Sequence, residues 1–154
     1  MNLSHKVPPL VVALVFAALI YLPVYLPADF LPRLVFDGQN IMALFVAIVG
    51  LGVVLLAIIS LIKLKTTINP LTPESASALV TTGLFKFSRN PMYLGMLLLI
   101  VSLWINTGAV MGFIWVPAFV VYLNYFQIAP EERAMKQLFP GRYEAYCQQV
   151  RRWF

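Results

Sequence analysis

The chain has 154 residues, of which 61% are apolar and 11% charged, and its mean hydropathy is +0.85. Soluble domains sit nearer about 45–50% apolar and 25% charged, so this balance argues against a soluble globular enzyme or a disordered chain and leaves a small integral membrane protein. Eleven Lys and Arg against six Asp and Glu give a formal net charge of +5, which in so apolar a chain marks cytoplasmic flanks rather than a nucleic-acid surface, and a single Cys and a single His leave no material for a disulfide scaffold or a structural zinc site.

Four apolar stretches approach the roughly 20 residues that a helix needs to cross a bilayer core. The first runs from about Pro9 to Leu26, with Pro23 placed to kink it. No small-residue cleavage site follows at Tyr25-Leu26-Pro27, so it reads as a retained anchor and not a cleaved signal. The second, about Ile41 to Ile62, carries no charge, and Gly50 and Gly52 in its middle would admit another helix closely. The third, about Met92 to Ile105, is short, with Pro91 and Asn106 at its ends. Only Asn106-Thr107-Gly108 separates it from the fourth, about Val110 to Ile128, which contains Pro117; so short a link predicts an antiparallel helical hairpin.

The fold class expected is therefore all-α: a membrane bundle of about four helices with a short cytoplasmic helical segment at the C-terminus. Residues 1–154 read as a single membrane domain, with two N-terminal helices in 1–65 and a functional half in 66–154. Basic residues set the orientation. Lys6 precedes the first stretch; only Arg33, beside Asp29 and Asp37, lies between the first and second; Lys63, Lys65, Lys86 and Arg89 lie between the second and third; the hairpin turn has none; Arg133, Lys136, Arg142, Arg151 and Arg152 follow the fourth. This alternation fits four spans with both termini in the cytoplasm, in a bacterial inner membrane.

Two long polar segments then share the cytoplasmic side, and long ordered connections often carry function. In the first, the Pro- and Thr-rich stretch Thr66–Pro73 predicts an extended or turning backbone. Leu79–Phe87 predicts a short turn breaking at Gly83. Pro91 suits the first position of the next helix, with Ser88 or Asn90 as its cap. In the second, Pro130-Glu131-Glu132 predicts a helix start, with acids in the first turn, and Pro140-Gly141 a break. Tyr143, Tyr146, Cys147 and Val150 then form an apolar stripe on a last short helix, lying on the membrane or against the bundle. Arg151, Arg152 and Trp153 read as interface anchors. Each polar residue singled out has a structural reading as well as a chemical one. Glu131 and Glu132 complement a helix N-terminus, Arg89 suits a headgroup, Tyr93 suits an interface, Cys147 suits inert packing and His5 an exposed tail.

Taken together, the segment Leu79-Val80-Thr81-Thr82-Gly83-Leu84-Phe85-Lys86-Phe87-Ser88-Arg89-Asn90-Pro91-Met92-Tyr93-Leu94-Gly95 resembles a signature of the isoprenylcysteine carboxyl methyltransferase and phospholipid methyltransferase families. There a Gly-x-Phe/Tyr turn precedes Arg-His-Pro-x-Tyr-x-Gly at the head of a membrane helix, followed by a helical hairpin, a Glu-Glu pair, Phe-Gly-x-x-Tyr-x-x-Tyr and a terminal Arg-Trp. The later parts read here as Glu131-Glu132, Phe139-Pro140-Gly141-Arg142-Tyr143-Glu144-Ala145-Tyr146 and Arg152-Trp153. The resemblance runs from about Thr72 to the end. The sequence departs from it at Asn90, where the family has His, and by the extra Pro140 before Gly141.

The resemblance implies S-adenosylmethionine as cofactor, bound on the cytoplasmic side by the C-terminal half. It implies cofactor-binding roles for Gly83, Phe85, Asn90, Pro91, Tyr93, Gly95, Glu131 and Glu132, and makes Arg89, Asn90 and Tyr93 the candidate catalytic residues. Residue chemistry agrees: carboxylates accept from ribose hydroxyls or an ammonium, Arg89 can pair with a carboxylate, and the Tyr93 ring or oxygen can face a sulfonium. The methyl acceptor expected is a lipophilic small molecule or lipid, with membrane lipids as partners and neither metal nor nucleic acid involved. Two other readings compete: a non-catalytic protein on the same scaffold, which the loss of His favours, and a small four-helix transporter, against which no charged residue lies inside any predicted span.

Overall fold

A computed structural model describes residues 7–26, 32–63 and 76–154. His5 and the Thr66–Pro73 stretch lie outside the described residues. Among the described residues the secondary structure is helical, with a single isolated bridge between Arg33 and Ala109.

Helix α1 spans Pro9–Tyr21 and opens on Pro9, whose fixed φ and missing N–H suit a first turn. Pro23 does not kink this helix as expected. The α-helix stops before it and a 3-10 turn, Leu22–Tyr25, takes over, which spares the proline the clash it would meet inside an α-helix. Helix α2 is the long uncharged stretch, Gln39–Lys63. Helix α3, Pro91–Thr107, closes on Gly108, whose φ of +61° is the left-handed C-terminal cap that glycine adopts without strain. Helix α4, Gly112–Tyr122, contains Pro117 and runs without a break through a π-helical turn, Leu123–Ile128, into α5, Ala129–Leu138. The helix start expected at Pro130 is therefore an internal position of a continuous 27-residue helical run. After Pro140-Gly141, α6 spans Arg142–Gln149.

Helix α3 is central. It packs most extensively on α2 and also on α1 and α4, while α1 packs on α4. The α2–α3 approach is set by glycines: a Cβ on Gly50 would lie 2.9 Å from Leu98 Cβ, and one on Gly95 would lie 2.8 Å from the Gly50 carbonyl. Of the two α2 glycines expected to receive a partner helix, Gly50 does so and Gly52 faces open space. On the other side of α3, Val12, Ile20, Tyr93, Ile100, Phe119, Leu123 and Ile128 close a core between α1, α3 and the α4 run.

At the hairpin end, Leu34 N–H donates to the Gly108 carbonyl (2.8 Å). Gln39 Nε2 donates to the carbonyls of Ile105 (2.5 Å) and Asn106 (2.9 Å), taking up carbonyls that α3 leaves free at its C-terminus. Two runs, Gln39–Lys63 and Gly112–Leu138, are long and apolar enough to cross a membrane; Pro9–Tyr25 and Pro91–Thr107 are apolar but shorter. α2 leaves Ile41, Leu44, Phe45, Ile48, Leu51 and Leu55 exposed, a contiguous apolar face that suits hydrocarbon and not water.

Candidate functional site

The polar residues gather where the head of α3 meets α5 and the C-terminal tail. Pro91 occupies the first turn of α3 and is buried, with Asn90 at the N-cap position. The expectation that Asn90 or Ser88 caps this helix through its side chain is not met: Asn90 sits at the N-cap position without a side-chain cap bond. The Asn90 amide instead turns to the tail and donates to the Arg152 carbonyl (3.0 Å), while its backbone N–H donates to Ser88 Oγ (3.1 Å). The Arg89 backbone N–H donates to the Arg151 carbonyl (3.0 Å), so the tail lies along Ser88–Asn90 like a strap.

Arg89 points into the protein. Its Nη2 pairs with Glu132 Oε1 at 2.9 Å, and Nη1 donates to the carbonyls of Cys147 and Val150 (3.3 Å each), which α6 leaves free at its end. The Arg89 and Glu132 side chains are only 13% and 15% exposed. Arg152 approaches the same carboxylate from outside, with Nη2 at 2.6 Å from Oε2 and Nε at 3.1 Å from Oε1. This pairing raises the Arg152 pKa above its ordinary value. Glu132 is thus held between two arginines, one from the head of α3 and one from the tail.

Glu131, the adjacent residue, has a different environment. Tyr93 is buried, its ring in the main core, and its hydroxyl donates to Glu131 Oε1. Among the described residues Tyr93 is the only hydrogen-bond partner of the Glu131 side chain. Tyr93 therefore belongs to the packed interior and not to an exposed interface.

The π-helical turn supplies two further polar groups that the sequence reading did not single out. Asn124 Oδ1 accepts from Trp153 Nε1 (3.2 Å) and Arg152 Nη1 (3.4 Å). Gln127 is buried, donates from Nε2 to the Val7 carbonyl (2.8 Å) and, among the described residues, leaves Oε1 without a partner. A π-turn widens the helix by one residue, a device found often at functional sites. Neither amide carries a composition signal, because both lie in a run that reads as apolar helix.

The remaining candidates frame this cluster. Gly83, at φ +63°, opens a 3-10 turn, Gly83–Lys86, close to Ser60 of α2. The Phe85 carbonyl accepts from Tyr146 Oη (2.6 Å), which ties that turn to α6. Gly95 meets Gly50 and Val54 of α2, so it serves the helix crossing. The expected stripe on α6 does pack: Tyr143, Tyr146 and Val150 close a second small core with Leu79, Met135, Phe139 and Cys147, so it lies against α5 and the turn. Burial pushes both tyrosine hydroxyls well above their ordinary pKa, which keeps them neutral donors.

Arg89, Asn90, Pro91, Tyr93, Glu131 and Glu132 thus converge from two segments about forty residues apart. The phospholipid methyltransferase family model matches residues 39–142, more than half of the chain, and the chain belongs to that family. The match begins at the start of α2, well upstream of the Thr72 boundary expected from the motifs. The α2–α3 glycine crossing gives a physical reason, since α2 is the surface on which the motif-bearing helix packs. An uncharacterized protein of Haemophilus influenzae is 37% identical over 62 residues, covering 40% of this chain and 98% of that protein. No solved structure matches the chain significantly. Family membership and the two long apolar runs together indicate a membrane-associated methyltransferase.

Proposed function

We propose that the protein is an S-adenosylmethionine-dependent methyltransferase of four membrane spans, with both termini cytoplasmic. It methylates a lipophilic acceptor at the cytoplasmic face of the bilayer. The observation that carries this reading is the buried polar cluster at the head of α3, in a chain of the phospholipid methyltransferase family. The residues fit the cofactor. Among the described residues the Glu131 side chain bonds only to Tyr93 and the buried Arg89 Nε has no partner, so the cluster offers both an acceptor and a donor to a zwitterionic ligand.

When bound, S-adenosylmethionine supplies a methyl group activated by its sulfonium. Glu131 would accept hydrogen bonds from the ribose hydroxyls or the ammonium, and Tyr93 holds that carboxylate in place. Glu132, committed to Arg89 and Arg152, fixes the wall of the site. Placement of donor and acceptor and exclusion of water supply most of the acceleration in such a transfer.

The acceptor class follows from Asn90. An amide takes no proton near neutral pH, and this one already donates to the Arg152 carbonyl, so position 90 serves architecture and not proton transfer. A carboxylate (pKa near about 4) needs no base at neutral pH and a thiol (near about 8.5) is partly ionised, whereas an ammonium (near about 10) must first lose a proton. Carboxylates and thiols are therefore favoured over amines. A screen of lipophilic acids, thiols and amines with labelled methyl donor tests this. Transfer to acids or thiols is expected, and transfer to amines alone would contradict the acceptor assignment. Cofactor binding without transfer to any class, even in Asn90→His, would favour the non-catalytic reading that the missing imidazole suggests.

A further inference from the structure

We propose that Arg152 is a positioning residue of the cofactor site, acting through Glu132 from the C-terminal strap; this rests on the cofactor site proposed above. Arg152 grips Glu132 side-on, Nη2 to Oε2 at 2.6 Å and Nε to Oε1 at 3.1 Å, the two-point geometry that a guanidinium offers and an ammonium does not. With Arg89 Nη2 on Oε1 as well, both oxygens of Glu132 are taken. Of the two neighbouring glutamates, Glu132 is a hub of two ion pairs, and among the described residues the Glu131 side chain bonds only to Tyr93.

The same strap touches both elements that carry the site. Toward α3, the Arg152 carbonyl accepts from Asn90 Nδ2 at 3.0 Å and Ser88 Oγ at 3.4 Å, residues three and five positions before Tyr93. Toward the α4–α5 run, Arg152 Nη1 and Trp153 Nε1 share Asn124 Oδ1. Tyr93 and Glu131 must meet across these two elements, and the strap sets their spacing. Val150 is extended, so the strap is no continuation of α6 and owes its place to these contacts. An Arg152 that merely anchored the tail at the bilayer surface would have no reason to match the carboxylate at two points while offering its own carbonyl to Asn90.

The test uses the full-length protein in detergent, with Arg152→Ala, Arg152→Lys, Glu132→Gln and the double variant Arg152→Ala/Glu132→Gln. S-adenosylmethionine affinity is read by calorimetry and strap seating by trypsin cleavage after Arg151, followed by intact mass. The expected result is a loss of affinity of about tenfold in Arg152→Ala, partial rescue by Lys, and little further loss when Arg152→Ala is added to Glu132→Gln. Tail cleavage accelerates in Arg152→Ala, and turnover recovers at saturating cofactor. Unchanged affinity in Arg152→Ala, or full additivity in the double variant, overturns the positioning role. So does tail cleavage at the unaltered rate, which needs no cofactor to be measured. Failure of the unaltered protein to bind S-adenosylmethionine would instead defeat the proposed function itself, and the positioning role with it.

Discussion

The two adjacent glutamates show how little a residue's type says about its task. Both read equally well from sequence as helix first-turn acids or as ligand acceptors. The fold separates them: Glu132 joins two arginines, and the Glu131 side chain, among the described residues, bonds only to Tyr93. Glu132→Ala leaves the buried Arg89 charge uncompensated and is expected to cost about 3–5 kcal/mol of stability, read by thermal unfolding in detergent. Glu131→Ala is expected to weaken cofactor binding about tenfold or more, the effect of removing one partner of a charge-assisted hydrogen bond of about 1.5–3 kcal/mol, with a smaller effect on unfolding. Equal stability losses and equal affinities in the two variants would contradict this division. Arg89, Asn90 and Tyr93 were legible as candidates because they stand in the segment that resembles the family signature. The pairing of Arg152 with Glu132 was not, since a terminal Arg beside Trp reads as an interface anchor until the fold shows its partner 20 residues away.

At the scale of elements, apolarity alone predicts the extents of α2 and α3 closely, because a run of uncharged residues has few alternatives to a helix in a chain this hydrophobic, whereas α1 ends at Tyr21 and the fourth run continues to Leu138. The π-helical turn was not legible. Widening a helix by one residue leaves no mark in composition, and Pro130 suggests a start where the helix continues. The glycines of α2 were legible only as a pair. Gly95→Ala puts a Cβ 2.5 Å from Val54 Cγ2 and 2.9 Å from the Val54 backbone nitrogen, a clash that helix backbones relieve only by moving apart. Thermal unfolding is expected to show a loss of about 1–3 kcal/mol, the usual cost of overpacking. Gly52→Ala, with nothing within 4 Å, leaves stability unchanged or raises it through helix propensity. A destabilised Gly52→Ala beside an unaffected Gly95→Ala would overturn the crossing described here.

For the whole molecule, the proposed orientation puts the polar cluster at the cytoplasmic end and the Gly108 turn at the other. Asp37 and Asn106 are exposed at that turn, whereas the neighbouring Thr107 is buried with its hydroxyl on the Leu103 and Trp104 carbonyls. In a Cys147→Ser background, Asp37→Cys and Asn106→Cys are expected to react with an impermeant thiol reagent applied to intact cells, and Gln137→Cys in α5 is expected to stay unlabelled. Labelling at position 137 with none at 37 and 106 would invert the orientation. Binding of S-adenosylmethionine at the meeting of α3 and α5, as proposed, is read by calorimetry of the detergent-purified protein and its Glu131→Ala variant with S-adenosylmethionine. Saturable binding by the unaltered protein, weakened about tenfold or more in the variant, is the expected result. Absence of binding by a folded, unaltered protein, or affinity indifferent to Glu131, would contradict it.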